Sequence, residues 1–444
     1  MASLRSLGQR LRAHPLIDLL YNIKGNPRTC VFIEPLWGIP NSLIAPFSAV
    51  YMRAMGVSDI EIGFALSAAM VAQVFCAFFG GIIADKLGRK ATTILGDFFG
   101  WVIPCAIWAG AQNYWFFLLA MVLNSFEQVN QTAWVCLLVE DAEPKHILGM
   151  WNWIMIAGQL AVFFSPLSGY LINNYSLVPV MRVLYAMFSI FMLIKCFITI
   201  RGTTETAQGK VRMREAKGIG VGEMVKGYWK LIPKMLRNSG TVRVLVIMVV
   251  LHITSIISGN FYSLYATGGL GIPESYLAYF PIIRAVIMLL FFFIIDHNLN
   301  KYRVKIPMSA GLILYIACQL LVVFSPKNTV VPLIFYTIFE AIAHAMVFPR
   351  KELMTAFFVD KQERARIVAL LTTFMILFAS PFGGISGVLS KADGRLPFVL
   401  NIVLFLLAFV VIVTMKQNPG PEDEDGGEEA LAEGEALSAV GSSE

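Results

Sequence analysis

From Ile62 to Ala84 the chain runs for about twenty residues without one charged side chain. A bilayer core about 30 Å thick needs roughly 20 consecutive apolar residues per helical span. Runs of this kind recur along nearly the whole sequence, and that recurrence constrains the fold more than any other feature. Composition agrees: 57% of the 444 residues are hydrophobic and 14% charged, where a soluble domain is nearer one quarter charged. The expected fold class is an all-α membrane protein, because a spanning segment must satisfy its own backbone hydrogen bonds.

Twelve spans are predicted, at about 30–54, 59–84, 91–111, 114–139, 148–172, 180–200, 242–267, 275–295, 306–325, 330–358, 366–390 and 396–415. The Lys/Arg distribution sets the orientation. With the N-terminus inside, the inner segments hold Arg5, Arg10, Arg12, Lys24 and Arg28, then Lys86, Arg89, Lys90 and Lys145. The basic loop between spans six and seven follows, then Lys301, Arg303, Lys305, Lys361, Arg364 and Arg366. The outer loops keep little beyond Lys327, Lys391 and Arg395. Both termini are therefore expected in the cytoplasm. The basic start MASLRSLGQRLRAHP has no apolar core, so no cleaved leader is expected.

The organisation predicted is a cytoplasmic segment 1–29, a six-helix half 30–200, a linker 201–241, a second half 242–416 and a tail 417–444. In the linker, Val221, Met224, Val225, Tyr228, Trp229, Ile232 and Met235 recur at helical spacing, with Lys226, Lys230, Lys234 and Arg237 opposite. That is a basic amphipathic helix suited to an anionic membrane surface. The tail carries nine acidic residues and should be disordered. The halves look related. VEDAEPKHIL (Val139–Leu148) and VDKQERARIV (Val359–Val368) align at an offset of 220, and spans five and eleven carry SPLSGYL and SPFGGISGVL. Repeated halves with a site between them near the midplane are common among secondary transporters.

Span two ends in GGIIADKLGRK. Gly81 lets another helix approach, Gly88 permits a tight turn, and Asp85 suits the positive end of a helix. The pattern Gly81-x-x-x-Asp85-Lys86-x-Gly88-Arg89-Lys90 resembles the loop 2–3 signature of the major facilitator superfamily. The resemblance implies twelve helices in two pseudo-symmetric halves and alternating access. It also implies a conformational latch of Gly81, Asp85, Gly88 and Arg89 with Glu140 and Asp141 at the inner end of span four. Asp85 would meet the start of span eleven near Arg366, and Arg89 an acid of span four. The corresponding stretch of the second half, IIDHNLNKYRVK, keeps Asp296 but not the glycines.

Charged groups inside spans are costly and by default mark a pathway. Span one places Glu34, Trp37, Asn41 and Ser48 on one face, on a helix interrupted by Pro35, Pro40 and Pro46. Span four carries a stripe of Asn124, Glu127, Gln128, Gln131 and Trp134, able to hydrogen-bond and stack a polar organic solute. Span ten offers Glu340 and His344 at i,i+4, a pair that could relay a proton. Asp97, Lys195, His252 and Arg284 stand as isolated intramembrane groups, and Arg284 must find an acid or an anion. The expected cavity residues are Trp37, Asn41, Asn124, Glu127, Gln128, Gln131, Trp134, His252 and Arg284, with Glu34, Glu340 and His344 as proton-coupling candidates.

The six cysteines are isolated and no metal-ligand spacing occurs. There is no Gly-x-x-x-x-Gly-Lys-Ser/Thr loop, so ATP hydrolysis is not expected. The reading is a non-enzymatic, proton-coupled secondary transporter of a small organic solute in a bacterial inner membrane, working as a monomer, with no cofactor and no nucleic-acid partner. Its rival is a non-transporting membrane sensor or lipid-handling protein of the same fold.

Overall fold

The computed structural model describes residues 22–218, 220, 222, 232–233, 235–291, 302–358 and 364–415. Among them every regular element is a helix. Among the described residues ten helices are long and apolar enough to cross a membrane, from Asp59–Leu87 to Leu396–Val413. The expected N-terminal segment up to residue 21, most of the amphipathic linker helix, Asp296 and the acidic tail 417–444 lie outside the described residues.

Span twelve shows how the sequence reads as a lipid-facing helix. Phe398, Asn401, Leu404, Phe405, Ala408 and Ile412 are buried, while Val399, Val403, Leu406, Leu407, Val410 and Val413 are exposed. Both stripes follow the helical repeat, and both are apolar apart from Asn401. A soluble helix would make the outer stripe polar. Here hydrocarbon is the outer solvent.

The two remaining predicted spans, one and four, are broken helices. Span one runs as Gly25–Ile33, Pro35–Ile44, a 3₁₀ turn Ala45–Phe47 and Ser48–Ala54. Pro35 cannot donate a backbone N–H and Pro46 opens the second break, so Glu34 falls at an interruption of the helix. Span four runs as Tyr114–Asn124 and Glu127–Val139. The buried hydroxyl of Ser125 donates to the Ala69 carbonyl at 2.9 Å at this break. Glu127 thereby begins a new helix, where a negative charge is favoured.

Glycine sets how closely span four is gripped. A Cβ on Gly80 of span two would come 3.2 Å from Val129 Cα. On Gly96 it would come 2.9 Å from Asn130 Cα, and on Gly100 2.9 Å from the Glu127 backbone nitrogen. Gly96 and Gly100 lie one turn apart on span three, a small-residue pair that permits helix contact at backbone distance. Immediately after Asp97, span three widens into a π-helical turn, Phe98–Val102.

The described residues fall into two compact units. The first comprises the described part of Met1–Gly227 with Gly259–Ile282 and Ile376–Gly394; the second takes Tyr228–Ser258, Ile283–Met375 and the described part of Arg395–Glu444. Inside the first unit, the ends of spans one and two bind the ends of spans seven and eleven. Arg53 makes a bidentate ion pair with Asp59, Nε to Oδ1 at 3.1 Å and Nη2 to Oδ2 at 2.8 Å. It also donates to the Leu264 carbonyl at 2.7 Å. Asp59 accepts from the Ser390 hydroxyl at 2.6 Å. Below this, the Gly384 amide donates to the Ser67 hydroxyl at 2.8 Å. Gly63 meets Gly383 and Gly387 with no room for side chains.

These contacts predict two opposite glycine phenotypes. A Cβ on Gly387 would lie 3.1 Å from Gly63 Cα, so Gly387→Val should lower the stability of the purified protein by about 1–3 kcal/mol. Gly158 has nothing within 4 Å of the added carbon, and Gly158→Ala should be neutral or stabilising by up to about 1 kcal/mol. Thermal unfolding in detergent compares them directly.

Candidate functional site

Nine residues from four spans line a pocket of 160 Å³: Glu34 and Trp37 of span one, Asp97 and Trp101 of span three, Glu127, Asn130, Gln131 and Trp134 of span four, and Lys195 of span six. Each arrives for a local reason. Glu34 lies in the Pro35 break, Asp97 beside the π-helical turn, and Glu127 at the restart of span four. The Gly96 and Gly100 contacts press the last two together.

An ion pair lies at the centre of this arrangement. Lys195 Nζ is 3.4 Å from Asp97 Oδ2, and both side chains are almost inaccessible, at 6% and 1%. Asn130 Nδ2 donates to Asp97 Oδ1 at 2.7 Å. Asp97 and Lys195 are therefore not isolated groups, as their positions in the sequence suggested, but each other's partner. A buried pair of this kind is held by mutual attraction plus hydrogen bonds against a large desolvation cost. The carboxyl groups of Glu34 and Glu127, by contrast, make no hydrogen bond or ion pair with any described residue.

Aromatic rings wall the site. Trp37 meets Trp101 edge-on, with centroids 5.6 Å apart, and Trp101 lies 5.3 Å from Phe188. Trp134 meets Trp151 edge-on at 6.2 Å. It packs against the buried cluster of Cys30, Leu137, Leu138 and Met150. Its indole nitrogen is buried without a hydrogen-bond partner, as is Asn130 Oδ1. Among the described residues, Trp134 Nε1, Asn130 Oδ1 and the exposed Gln131 amide thus stay unpaired beside the two unpaired carboxyls.

The remaining predicted residues are elsewhere. Asn124 donates to the Gly100 carbonyl at 2.6 Å and holds the packing of spans three and four. Asn41 and Gln128, half-buried, are not among the pocket-lining residues. Ser48 bonds Tyr185 instead, at 2.9 Å. In the second unit, Arg284 finds its acid in Glu340, with Nε 2.7 Å from Oε2. This replaces the expected Glu340–His344 pair. His344 Nδ1 instead faces the Tyr315 hydroxyl at 3.3 Å, and its ring stacks on Phe348. His252 has its Nε2 buried without a partner. Trp101 and Asn130 are pocket residues that the stripe argument passed over. The spacing Gly96-x-x-x-Gly100 around Asp97 was the signal that could have found them.

The loop after span two is bound within its own half. Gly88 adopts φ +89°, a left-handed conformation suited to glycine, and Gly81 lies inside the Asp59–Leu87 helix. Arg89 pairs with Asp85 at 2.7 Å and with Glu140 at 3.2 Å. Asp85, expected at the start of span eleven, thus takes Arg89 as its partner, and the side chain of Arg366 is outside the described set. The start of the linker completes the knot. Glu205 accepts the Arg89 and Lys90 amides at 2.9 and 3.1 Å, capping span three. Thr206 donates to Glu140. Asp141 accepts from Asn26 at 3.1 Å and from the Ala207 amide at 3.2 Å.

Comparison with known proteins places this geometry. The sequence profile of the MFS_1-like family matches residues 41–400. The chain belongs to that family. Its relatives include the uncharacterized MFS-type transporter YqjV of Bacillus subtilis (strain 168), 31% identical over 168 residues, which is 36% of this chain and 41% of YqjV. The quinolone resistance protein NorA of Staphylococcus aureus is 26% identical over 104 residues, 23% of this chain and 26% of NorA. The match therefore spans less than half the length of either relative. Among solved structures, the nucleoside transporter NupG aligns with a TM-score of 0.66 at 16% identity, over 88% of this chain and 100% of its own. The E. coli xylose transporter XylE in an inward open conformation aligns at 0.63 and 13% identity, over 88% and 96%. At such identities the likeness shows the fold alone, an all-α multi-pass bundle.

The buried pair makes a prediction of its own. Lys195→Met strands a buried Asp97 and should cost about 3–5 kcal/mol of stability. Adding Asp97→Asn should recover most of that loss. A double-mutant cycle on thermal unfolding reads the coupling.

Proposed function

We propose that this member of the MFS_1-like family is a proton-coupled secondary transporter of a small organic solute, and that the pocket around Asp97 and Lys195 is where solute and protons bind. The observation that carries the reading is a charge count. Glu34, Asp97 and Glu127 bring three carboxyls to the pocket and Lys195 brings one amine. Lys195 offsets Asp97. Among the described pocket-lining residues two carboxyls remain in excess of the amine, at membrane depth, where ionised groups are strongly disfavoured. Each must be neutralised by a proton or by a positive group on the solute.

That choice supplies coupling. The same two carboxyls cannot hold protons and a cation at once, so binding one releases the other. The tryptophan walls favour a flat, positively charged organic solute through ring contact and cation–π attraction. The exposed Gln131 amide would fix its orientation. The Arg284–Glu340 pair of the second unit is the corresponding balanced pair, and in this reading it is structural.

Alternating access then needs two sets of reversible contacts. With both termini cytoplasmic, the Arg53–Asp59–Ser390 cluster ties the outer ends of spans one, two, seven and eleven. The latch residues Asp85, Arg89, Glu140 and Asp141 lie at the inner ends, here bonded within the first half. A solute can pass only if the outer cluster weakens while inner contacts across the halves form in its place. We place the protein in a bacterial inner membrane, as a monomer.

The test is flux in sealed proteoliposomes, using a permanent aromatic cation as the probe solute. A pH gradient should drive uphill movement of the probe. Glu34→Gln and Glu127→Gln should each cut the driven component by about tenfold or more, equivalent to 1.4 kcal/mol of coupling, while folded protein remains in the membrane. Binding of the probe without any flux would contradict the transporter reading and favour a sensor.

A further inference from the structure

A second pocket, of 570 Å³, lies away from the first and has the opposite charge. It is lined by Lys86 at the end of span two and by Lys210, Met213, Arg214, Ala216 and Lys217 of the linker. The three linker cations follow the spacing i, i+4, i+7. The first two lie on the helix Ala207–Glu215 and Lys217 on the turn that continues it. They therefore share one face, turned towards Lys86. None of the four cations makes a hydrogen bond or ion pair with a described residue. The acid of this helix, Glu215, is used by Arg212, at 3.0 Å.

All four residues are exposed, and like charges one turn apart repel. Here the helix that carries them is fixed. Thr206 caps it by accepting the Gly209 amide at 2.8 Å. Glu205, Thr206 and Ala207 are bonded to span three, Glu140 and Asp141. Asn26 accepts the Thr204 amide at 2.8 Å and donates to its carbonyl at 2.9 Å. The fold spends many hydrogen bonds on holding a face of like charges beside Lys86.

We propose that this groove binds the phosphate of an anionic phospholipid headgroup from the cytoplasmic leaflet. The level in the membrane argues for a lipid over a free anion. Asp59–Leu87 is a 29-residue helix. It is about 43 Å long at 1.5 Å per residue, close to the roughly 40–45 Å of a bilayer that includes both headgroup layers. Its last turn, with Lys86, therefore lies among headgroups. Leu87 beside it is exposed, as a residue contacting acyl chains would be. Met213 and Ala216 give the groove an apolar floor suited to the glycerol end of a lipid. The site is independent of which solute the protein carries. Its effect would be to pin the linker to the loop after span two.

Native mass spectrometry of the full-length purified protein tests this. Wild type should retain phosphatidylglycerol over phosphatidylcholine by about tenfold or more, a difference of 1.4 kcal/mol. The triple variant Lys210→Gln, Arg214→Gln, Lys217→Gln should lose that selectivity. Arg212→Gln, on the paired face, and the charge-keeping Lys210→Arg with Lys217→Arg should preserve it. If the triple variant does not fold, wild-type selectivity must still fall as salt rises, because screened surface charge carries it. Equal retention of the two lipids, selectivity that survives the triple variant, or salt-independent selectivity overturns the proposal. Displacement of the lipid by millimolar inorganic phosphate also overturns it, and assigns the groove to a soluble anion.

Discussion

An amine and a carboxylate that meet inside a membrane must be held together by everything around them. Lys195 and Asp97 are such a pair, 3.4 Å apart and both almost fully enclosed. Neither charge is affordable without the other. Their meeting requires span six to face span three, and span three in turn packs on span four to within backbone contact. Gly96 and Gly100 permit that approach, and Asn130 then reaches the free side of Asp97. The breaks at Pro35 and Ser125 bring Glu34 and Glu127 to the same place. One balanced pair thus carries two unbalanced carboxyls beside it, and the chemistry proposed for the pocket follows from that imbalance.

Much of the fold could be read from the sequence because the bilayer imposes a simple rule. A charge-free run such as Ile62–Ala84 has few other uses, and the loop signature from Gly81 to Lys90 identified the superfamily to which the family match belongs. The site was legible only in part. Glu34, Trp37, Glu127, Gln131 and Trp134 were found by asking which residues share a helical face. That question is local. Whether Asp97 pairs with Lys195, or Arg284 with Glu340, depends on which helices pack together, and periodicity within one span says nothing of that. The same limit explains His344. Its spacing from Glu340 suited a relay, yet Arg284 is the stronger partner for the acid and takes it. Asn124 has the right polarity for the pocket but is used to bind the Gly100 carbonyl.

The loop signature shows a second kind of limit. Its residues suggested contacts between the two halves. Arg89 does reach Glu140 of span four, but Asp85 turns back to Arg89, and Glu140 and Asp141 also hold the first residues of the linker. At the other end of the bundle, Arg53 and Asp59 bind Leu264 and Ser390. Neither residue stood out in the sequence, because a charged pair at a helix end reads as ordinary loop. Geometry gives them weight: one carboxylate satisfies a bidentate arginine and a serine from a distant span at once.

The central claim is that solute and protons compete for Glu34 and Glu127. Counting protons released when solute binds tests it most directly. The purified protein, in weakly buffered detergent solution, is titrated with a permanent aromatic cation while the pH is followed. The account predicts that wild type releases protons in proportion to cation bound, and that the Glu34→Gln, Glu127→Gln double variant releases none. Proton release of wild-type size from that double variant, or tight cation binding by wild type without any release at any pH, would contradict it.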